Sequence, residues 1–202
     1  NLRALYPKRN LSKANANHHK YPYLLKGLKI ERPNQVWQAD ITYIPMFRGF
    51  MYMFAIIDVY SRRIVGWSTS NTMSMDRTAD AVVQGGAFGH YTTEGKPEIF
   101  NTDQGSQFTS PYFVKCLLDN EIKVSMDGKG ELWTMFTLNG FGGRSNTSGP
   151  PPRYVYLNPP NGGVDLYKGV KAYVKFYNGE RKHTGTGYFP DDLFFGCNAK
   201  VS

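Results

Sequence analysis

The sequence has little cysteine, little histidine and no long apolar run. Its two cysteines, Cys116 and Cys197, stand in unrelated contexts. That excludes a disulfide framework and a CxxC metal site, and it suits a reducing cytoplasm. No apolar stretch approaches the roughly 20 residues that span a bilayer, so no membrane partner is expected. The opening residues, NLRALYPKRNLSKANANHHK, lack the apolar core of a signal peptide and begin without Met, as a fragment would. There are no internal repeats. Acid is also short: 16 Asp and Glu against 24 Lys and Arg leave a net charge of +8. Such an excess points to a polyanionic partner, most often nucleic acid, although many basic domains bind none.

What is present fits one domain of ordinary size with appendages, at 202 residues. Residues 1–32 form a basic arm. Lys8, Arg9, Lys13, Lys20, Lys26, Lys29 and Arg32 alternate with Tyr6, Tyr21 and Tyr23, and no period persists. The arm could lie along phosphates or be a solvated leader. His18 and His19 within it read as solvated. Pro33 then favours an extended entry into Val36–Ile44, VWQADITYI. This is an apolar, β-rich run with one carboxylate, Asp40, which costs stability unless it is hydrogen-bonded or holds something positive.

Val36–Ile44, Phe50–Asp58 and Ile64–Ser70 have turn residues between them, the signature of an antiparallel meander. The second run is almost wholly apolar, so a central strand covered on both faces is expected. Asp58 at its end reads as a turn carboxylate. A helix over about 75–90 follows, with Ser74 as N-cap. Pro97–Thr102 reads as a short strand parallel to the first, ending in Asp103-Gln104-Gly105-Ser106. A polar turn at a strand's C-terminal end is where ligand sites form in α/β folds. A helix over Ser110–Asn120 and a strand over Ile122–Ser125 follow. From residue 131 to 152 the texture changes to Gly, Ser, Thr, Asn and Pro without periodicity, as in a linker. Order resumes with a helix over Val164–Asn178, bearing Val164, Tyr167, Val170, Val174 and Tyr177 at helical spacing, and a basic tail.

RPNQVWQADITYI, GFMYMFAIIDVYSRRIVGW, FNTDQGSQFTS and SMDGKG resemble the catalytic core of bacterial insertion-sequence transposases, in the retroviral-integrase-like DDE superfamily. YVYLNPPNGG, KFYNGERKH and GYFPDDLFF resemble the same family's C-terminal portion. The resemblance covers about residues 6–130 and 153–196. It implies an α/β, ribonuclease-H-like fold: a mixed five-stranded sheet with flanking helices. It divides the chain into the arm 1–32, an integrase catalytic core 33–130, an aberrant segment 131–152, and a C-terminal part of the core 153–202. The family's helix-turn-helix half has no counterpart in these residues.

The resemblance also implies chemistry. The family cuts and joins DNA with Mg²⁺ or Mn²⁺ held by three carboxylates, one ion activating the attacking oxygen and one stabilising the leaving oxygen. By motif, Asp40 and Asp103 are the first two catalytic and metal-binding carboxylates. Read alone, Asp40 is a hydrogen-bonded strand residue and Asp103 a turn former; the two motifs together reverse that. Gln104, Gly105, Ser106 and Gln107 would line the site and approach DNA. Lys171, Lys175, Arg181, Lys182 and His183 would contact DNA backbone, or else form a solvated face. The implied partners are transposon-end and target DNA, with a homo-oligomer assembled on them, and the implied location is the bacterial cytoplasm, at the nucleoid.

The third carboxylate belongs on a helix that should pass through position 139, which is Asn139. No helix is credible there. Yet GELWTMFTLNGFGGRSN can be written with permitted codons that, read from the third base, spell RALDNVYIERFWRSIK, the expected helix. Its Glu codon straddles Leu138 and Asn139. Residues 131–152 therefore read as a frameshifted stretch, with a second shift restoring the frame near Arg153. The neutral amide of Asn139 cannot replace a carboxylate, so an impaired enzyme is expected. The competing reading is a non-catalytic nucleic-acid-binding remnant of the same fold. A ribonuclease H acting on hybrids is disfavoured by the motifs.

Overall fold

The structure, a computed structural model, describes residues 21–72, 95–105, 107–127 and 161–196. Five strands form one sheet: β1 (Val36–Pro45), β2 (Phe50–Asp58), β3 (Ile64–Ser70), β4 (Ile99–Asp103) and β5 (Lys123–Asp127). Their order across the sheet is β3-β2-β1-β4-β5. β1–β2 and β2–β3 are antiparallel, whereas β1–β4 and β4–β5 are parallel. The described helices are α1 (Pro111–Asp119), α2 (Gly163–Gly179) and α3 (Pro190–Phe195). Among the described residues, no helix is long and apolar enough to cross a membrane. The helix expected over 75–90, the segment 131–152 and residues 1–20 of the arm lie outside the described residues.

The meander forms because β-branched and aromatic residues alternate across short turns. Gly49 closes the first turn at φ 78°, with Met46 N–H donating to its carbonyl at 3.1 Å. The second turn is built on Asp58, which is fully buried. Its carboxylate accepts from Ser61 N (2.8 Å), Ser61 Oγ (2.7 Å) and Asn34 N (2.8 Å). Burial pushes its pKa up, opposed by those hydrogen bonds and by Arg62. So Asp58 is a turn-holding group, as its place at a strand end suggests.

The middle strand is β1. β2 is interior and continuously buried from Met53 to Asp58, which matches cover on both faces. One face carries Trp37, Ala39, Phe54, Ile56, Phe100 and Met126, packed against Phe113, Val114 and Leu117 of α1. The other carries Ile44, Met53, Ala55, Ile57 and Trp67, packed against Leu166, Val170, Tyr173 and Tyr177 of α2.

Three element readings shift. β4 starts later than Pro97 and β5 runs on to Asp127, because parallel pairing extends through Thr102↔Met126 and Asp103↔Asp127. Pro97 cannot donate to a ladder; Glu98 N and Ile99 N bond instead to the carbonyls of Asn34 and Gln35. In α2 the buried stripe includes Leu166 and Tyr173, while Val164 is 67% exposed. Both stripes have helical spacing and share Val170 and Tyr177, so period alone could not choose between them. Finally, residues 21–32 of the arm are strapped to the fold. Met126 N donates to Pro22 O (3.1 Å), Leu24 N donates to Ser125 Oγ (3.0 Å) and Gln35 Nε2 donates to Lys29 O (2.9 Å).

Candidate active site

β1 and β4 run parallel, and each carries an acid just past their paired stretch: Asp40 midway along β1 and Asp103 at the end of β4. In the β1–β4 ladder Val36 pairs with Ile99, Trp37 with Phe100 and Gln38 with Asn101. Continued two residues past the paired stretch, the same register would set Asp40 level with Asp103. Side chains alternate along a strand. Asp40 thus shares a face with Ile44, the α2 side of the sheet, and Asp103 shares it through the common register. Neighbouring strands lie about 4.8 Å apart, close enough for two carboxylates to meet one cation.

Local hydrogen bonds aim both groups. Asp40 Oδ1 accepts from Ile41 N at 2.7 Å. Asp103 Oδ1 accepts from Gly105 N at 3.0 Å. The Gly105 carbonyl then accepts from Phe108 N (3.1 Å), Thr109 N (3.1 Å) and Thr109 Oγ1 (3.2 Å). Phe108 is buried between Phe54 and Phe113, with centroids 6.2 and 5.9 Å away, so the core anchors the turn. A Cβ built on Gly105 would lie 2.9 Å from Asp103 Oδ1 and 2.9 Å from Gln107 Oε1. Only a glycine lets this backbone come so near the carboxylate without displacing something. Ser110 caps α1 behind the turn, accepting from Phe113 N at 3.2 Å, with Pro111 in the first turn.

This donor set suits a hard divalent cation. Two carboxylates on neighbouring parallel strands supply oxygen ligands of the kind Mg²⁺ takes. Among the described residues no group of three or more His, Cys, Asp or Glu converges to hold a metal. The pair is therefore a partial site, and Asn139 lies outside the described residues.

The remaining residues singled out from sequence scatter. Gln104 is exposed on the turn, Gln107 is half-buried beside it, and Ser106 lies outside the described residues. Lys171 and Lys175 are exposed one turn apart on α2, and Lys168, not singled out before, extends the row. Lys182 Nζ lies over the Phe189 ring, 5.6 Å from its centroid. Arg181 hydrogen-bonds Tyr173, whose phenol burial otherwise pushes to higher pKa. His183 Nδ1 accepts from Gly185 N at 3.2 Å. Its pKa is lowered by burial first, and then by Arg62 and Arg181.

Residues 30–131 match the integrase core domain family. The transposase of insertion element IS904 from Lactococcus lactis is 31% identical over 163 residues, 79% of this chain and 60% of the relative. The transposase of IS629 from Shigella sonnei is 25% identical over 160 residues, 79% of this chain and 51% of the relative. The chain thus spans little more than half the length of these relatives. Among solved structures, the HTLV-2 integrase catalytic core domain in complex with magnesium aligns over 81% of this chain and 97% of its own length. The TM-score is 0.58 at 21% identity, a likeness of fold.

Proposed function

The chain belongs to the integrase core domain family, and from that premise we propose that it is the DNA-cleaving core of an insertion-sequence transposase, in an impaired copy. The observation that carries the reading is the parallel pairing of β1 with β4 through Gln38↔Asn101, two residues before Asp40 on one strand and Asp103 on the other. These two residues would hold Mg²⁺ or Mn²⁺, and a bound ion would supply Lewis-acid activation at the scissile phosphate. The protein's own part is to fix the carboxylates. Ile41 N and Gly105 N orient them, and Gln104 and Gln107 stand where a DNA backbone would pass. Lys168, Lys171 and Lys175 offer a basic row on the α2 side, the side that also bears Asp40.

Impairment follows from Asn139, which stands where the resemblance puts the third carboxylate. The family match also ends at residue 131, where the aberrant segment begins. With two anionic ligands instead of three, a second ion is not held and strand transfer is lost. The experiment is a nicking and strand-transfer assay with Mn²⁺ on supercoiled and end-containing DNA. Background turnover that Asp40→Ala leaves unchanged is expected. Robust turnover abolished by Asp40→Ala would overturn the impairment. The nucleotide sequence across codons 125–155 tests the frameshift separately, since an alternative frame without the helix ends that idea.

A further inference from the structure

A polar row crosses the sheet just beneath the carboxylate pair. Gln38 on β1 pairs with Asn101 on β4, and Asn101 pairs with Ser125 on β5. Trp37, Ala39, Phe100, Val124 and Met126 face α1, so alternation turns Gln38, Asn101 and Ser125 to the opposite face. That is the face of Asp40 and Asp103, which follow two residues later on β1 and β4, about 6–7 Å along each strand. Asp40 and Asp103 are half-buried, whereas Asn101 is 1% exposed and Ser125 is fully buried.

The strap from the arm sets the orientation of Asn101. Leu24 N donates to Ser125 Oγ at 3.0 Å, and Ser125 Oγ donates to Asn101 Oδ1 at 2.7 Å. The hydroxyl has one proton, and giving it to Oδ1 turns the acceptor end of the amide toward β5. Nδ2, the other arm of the amide, turns away from β5, to the side where β1 lies. It is buried, and among the described residues it has no hydrogen-bond partner. A buried donor without an acceptor is costly. Holding the arm uses only Oδ1, so the strap does not account for the donor end.

We infer that Asn101 is a positioning residue for Asp40 and Asp103, its Nδ2 donating to the two carboxylates through a buried water. Each carboxylate accepts one backbone N–H through Oδ1 and has capacity for further bonds. A polar gap wider than one hydrogen bond, with a donor on one side and anions on the other, is where a water bridges. A neutral donor behind anionic ligands fixes their aim and lessens their mutual repulsion, and it adds no charge that competes with a cation. The inference rests on the reading of the pair as cation ligands and extends it one row down the sheet.

Two measurements on the full chain test it. The first needs no metal. The side-chain amide signal of Asn101 is followed by NMR in wild type and in Asp40→Asn, with the signal of Asn120 as reference. Asn120 caps α1, on the opposite face, and its Nδ2 donates to Cys116 O at 2.8 Å. The Asn101 signal should shift while that of Asn120 stays. An Asn101 signal that moves no more than that of Asn120 would overturn the positioning role. The second measurement is Mn²⁺ affinity by calorimetry, beside unfolding in metal-free buffer. Asn101→Ala should bind Mn²⁺ about tenfold more weakly than wild type. Val124→Ala, which opens the α1 face of β5, is the control for simple loosening. It should lose stability and keep its Mn²⁺ affinity. Equal weakening in both variants, or none in Asn101→Ala, would overturn the proposal. Wild type that binds no Mn²⁺ would sink the cation reading instead, and the amide signal would still decide where Nδ2 points.

Discussion

Single residues decide how the carboxylate pair is held. Gly105 is the sharpest case. A methyl group there would stand 2.9 Å from both Asp103 Oδ1 and Gln107 Oε1, so one of these side-chain ends must shift. Gly105→Ala should push the Asp103 carboxylate off its hydrogen bond and lower Mn²⁺ affinity about tenfold, with a small change in unfolding temperature. Isothermal titration would show it, and unchanged affinity would mean that the turn yields. His183 makes a pH prediction. Its folded-state pKa lies below the ordinary histidine value, so the unfolded chain binds the proton more readily. Stability is fully present above about pH 6.5 and falls as pH drops through the depressed folded value. Denaturant unfolding at pH 7.5 and at pH 5 should differ more for wild type than for His183→Gln, in which that limb is removed. Asp40 and Asp103 could be singled out as candidates because each sits inside a long motif. The strap that ties Leu24 to Ser125 was not, because only folding brings positions so far apart in sequence together.

Elements were legible where composition alone decides them. The meander of β1, β2 and β3 follows from runs of Val, Ile, Tyr, Phe and Trp, and α1 from Ser110-Pro111. Boundaries set by partners were less so. β5 reaches Asp127 only because β4 offers parallel pairing as far as Asp103, and α2 chooses its buried stripe by what the sheet presents. One element contact is specific enough to test. β3 is an edge strand, and Asn178 of α2 closes its first residue like a neighbouring strand. Asn178 Oδ1 accepts from Ile64 N at 2.9 Å and its Nδ2 donates to Ile64 O at 3.0 Å. Asn178→Ala leaves both backbone groups buried and unpaired, so a loss of about 2–4 kcal/mol is expected in denaturant unfolding. A loss under about 0.5 kcal/mol would show that water replaces the amide. Nearby, buried Arg63 pairs with Asp191 at 2.6 Å and lies 4.9 Å from the ring centroids of both Phe194 and Phe195, fastening α3 to the start of β3.

At the scale of the molecule, charge is the property that composition announced and the fold distributes. The excess of +8 predicts DNA binding that weakens steeply with salt. Replacing Lys168, Lys171 and Lys175 together by Gln should lower the slope of log affinity against log salt by about two to three, if each meets a phosphate. An unchanged slope would make the row a solvated face. A mixed five-stranded sheet was legible from the family motifs, whereas the bounds of β4 and β5 were not. What sequence could not supply is how the C-terminal portion grips the rest, since those hydrogen bonds join distant positions. The Asn178–Ile64 contact has a consequence in time. It closes a loop of 114 positions, and closure entropy grows with loop length, so it forms late. During synthesis the open edge of β3 must wait for α2 to emerge. Until then the nascent sheet is exposed to pairing with other chains. A ribosome-bound chain halted before residue 163 should therefore aggregate more readily than the finished one.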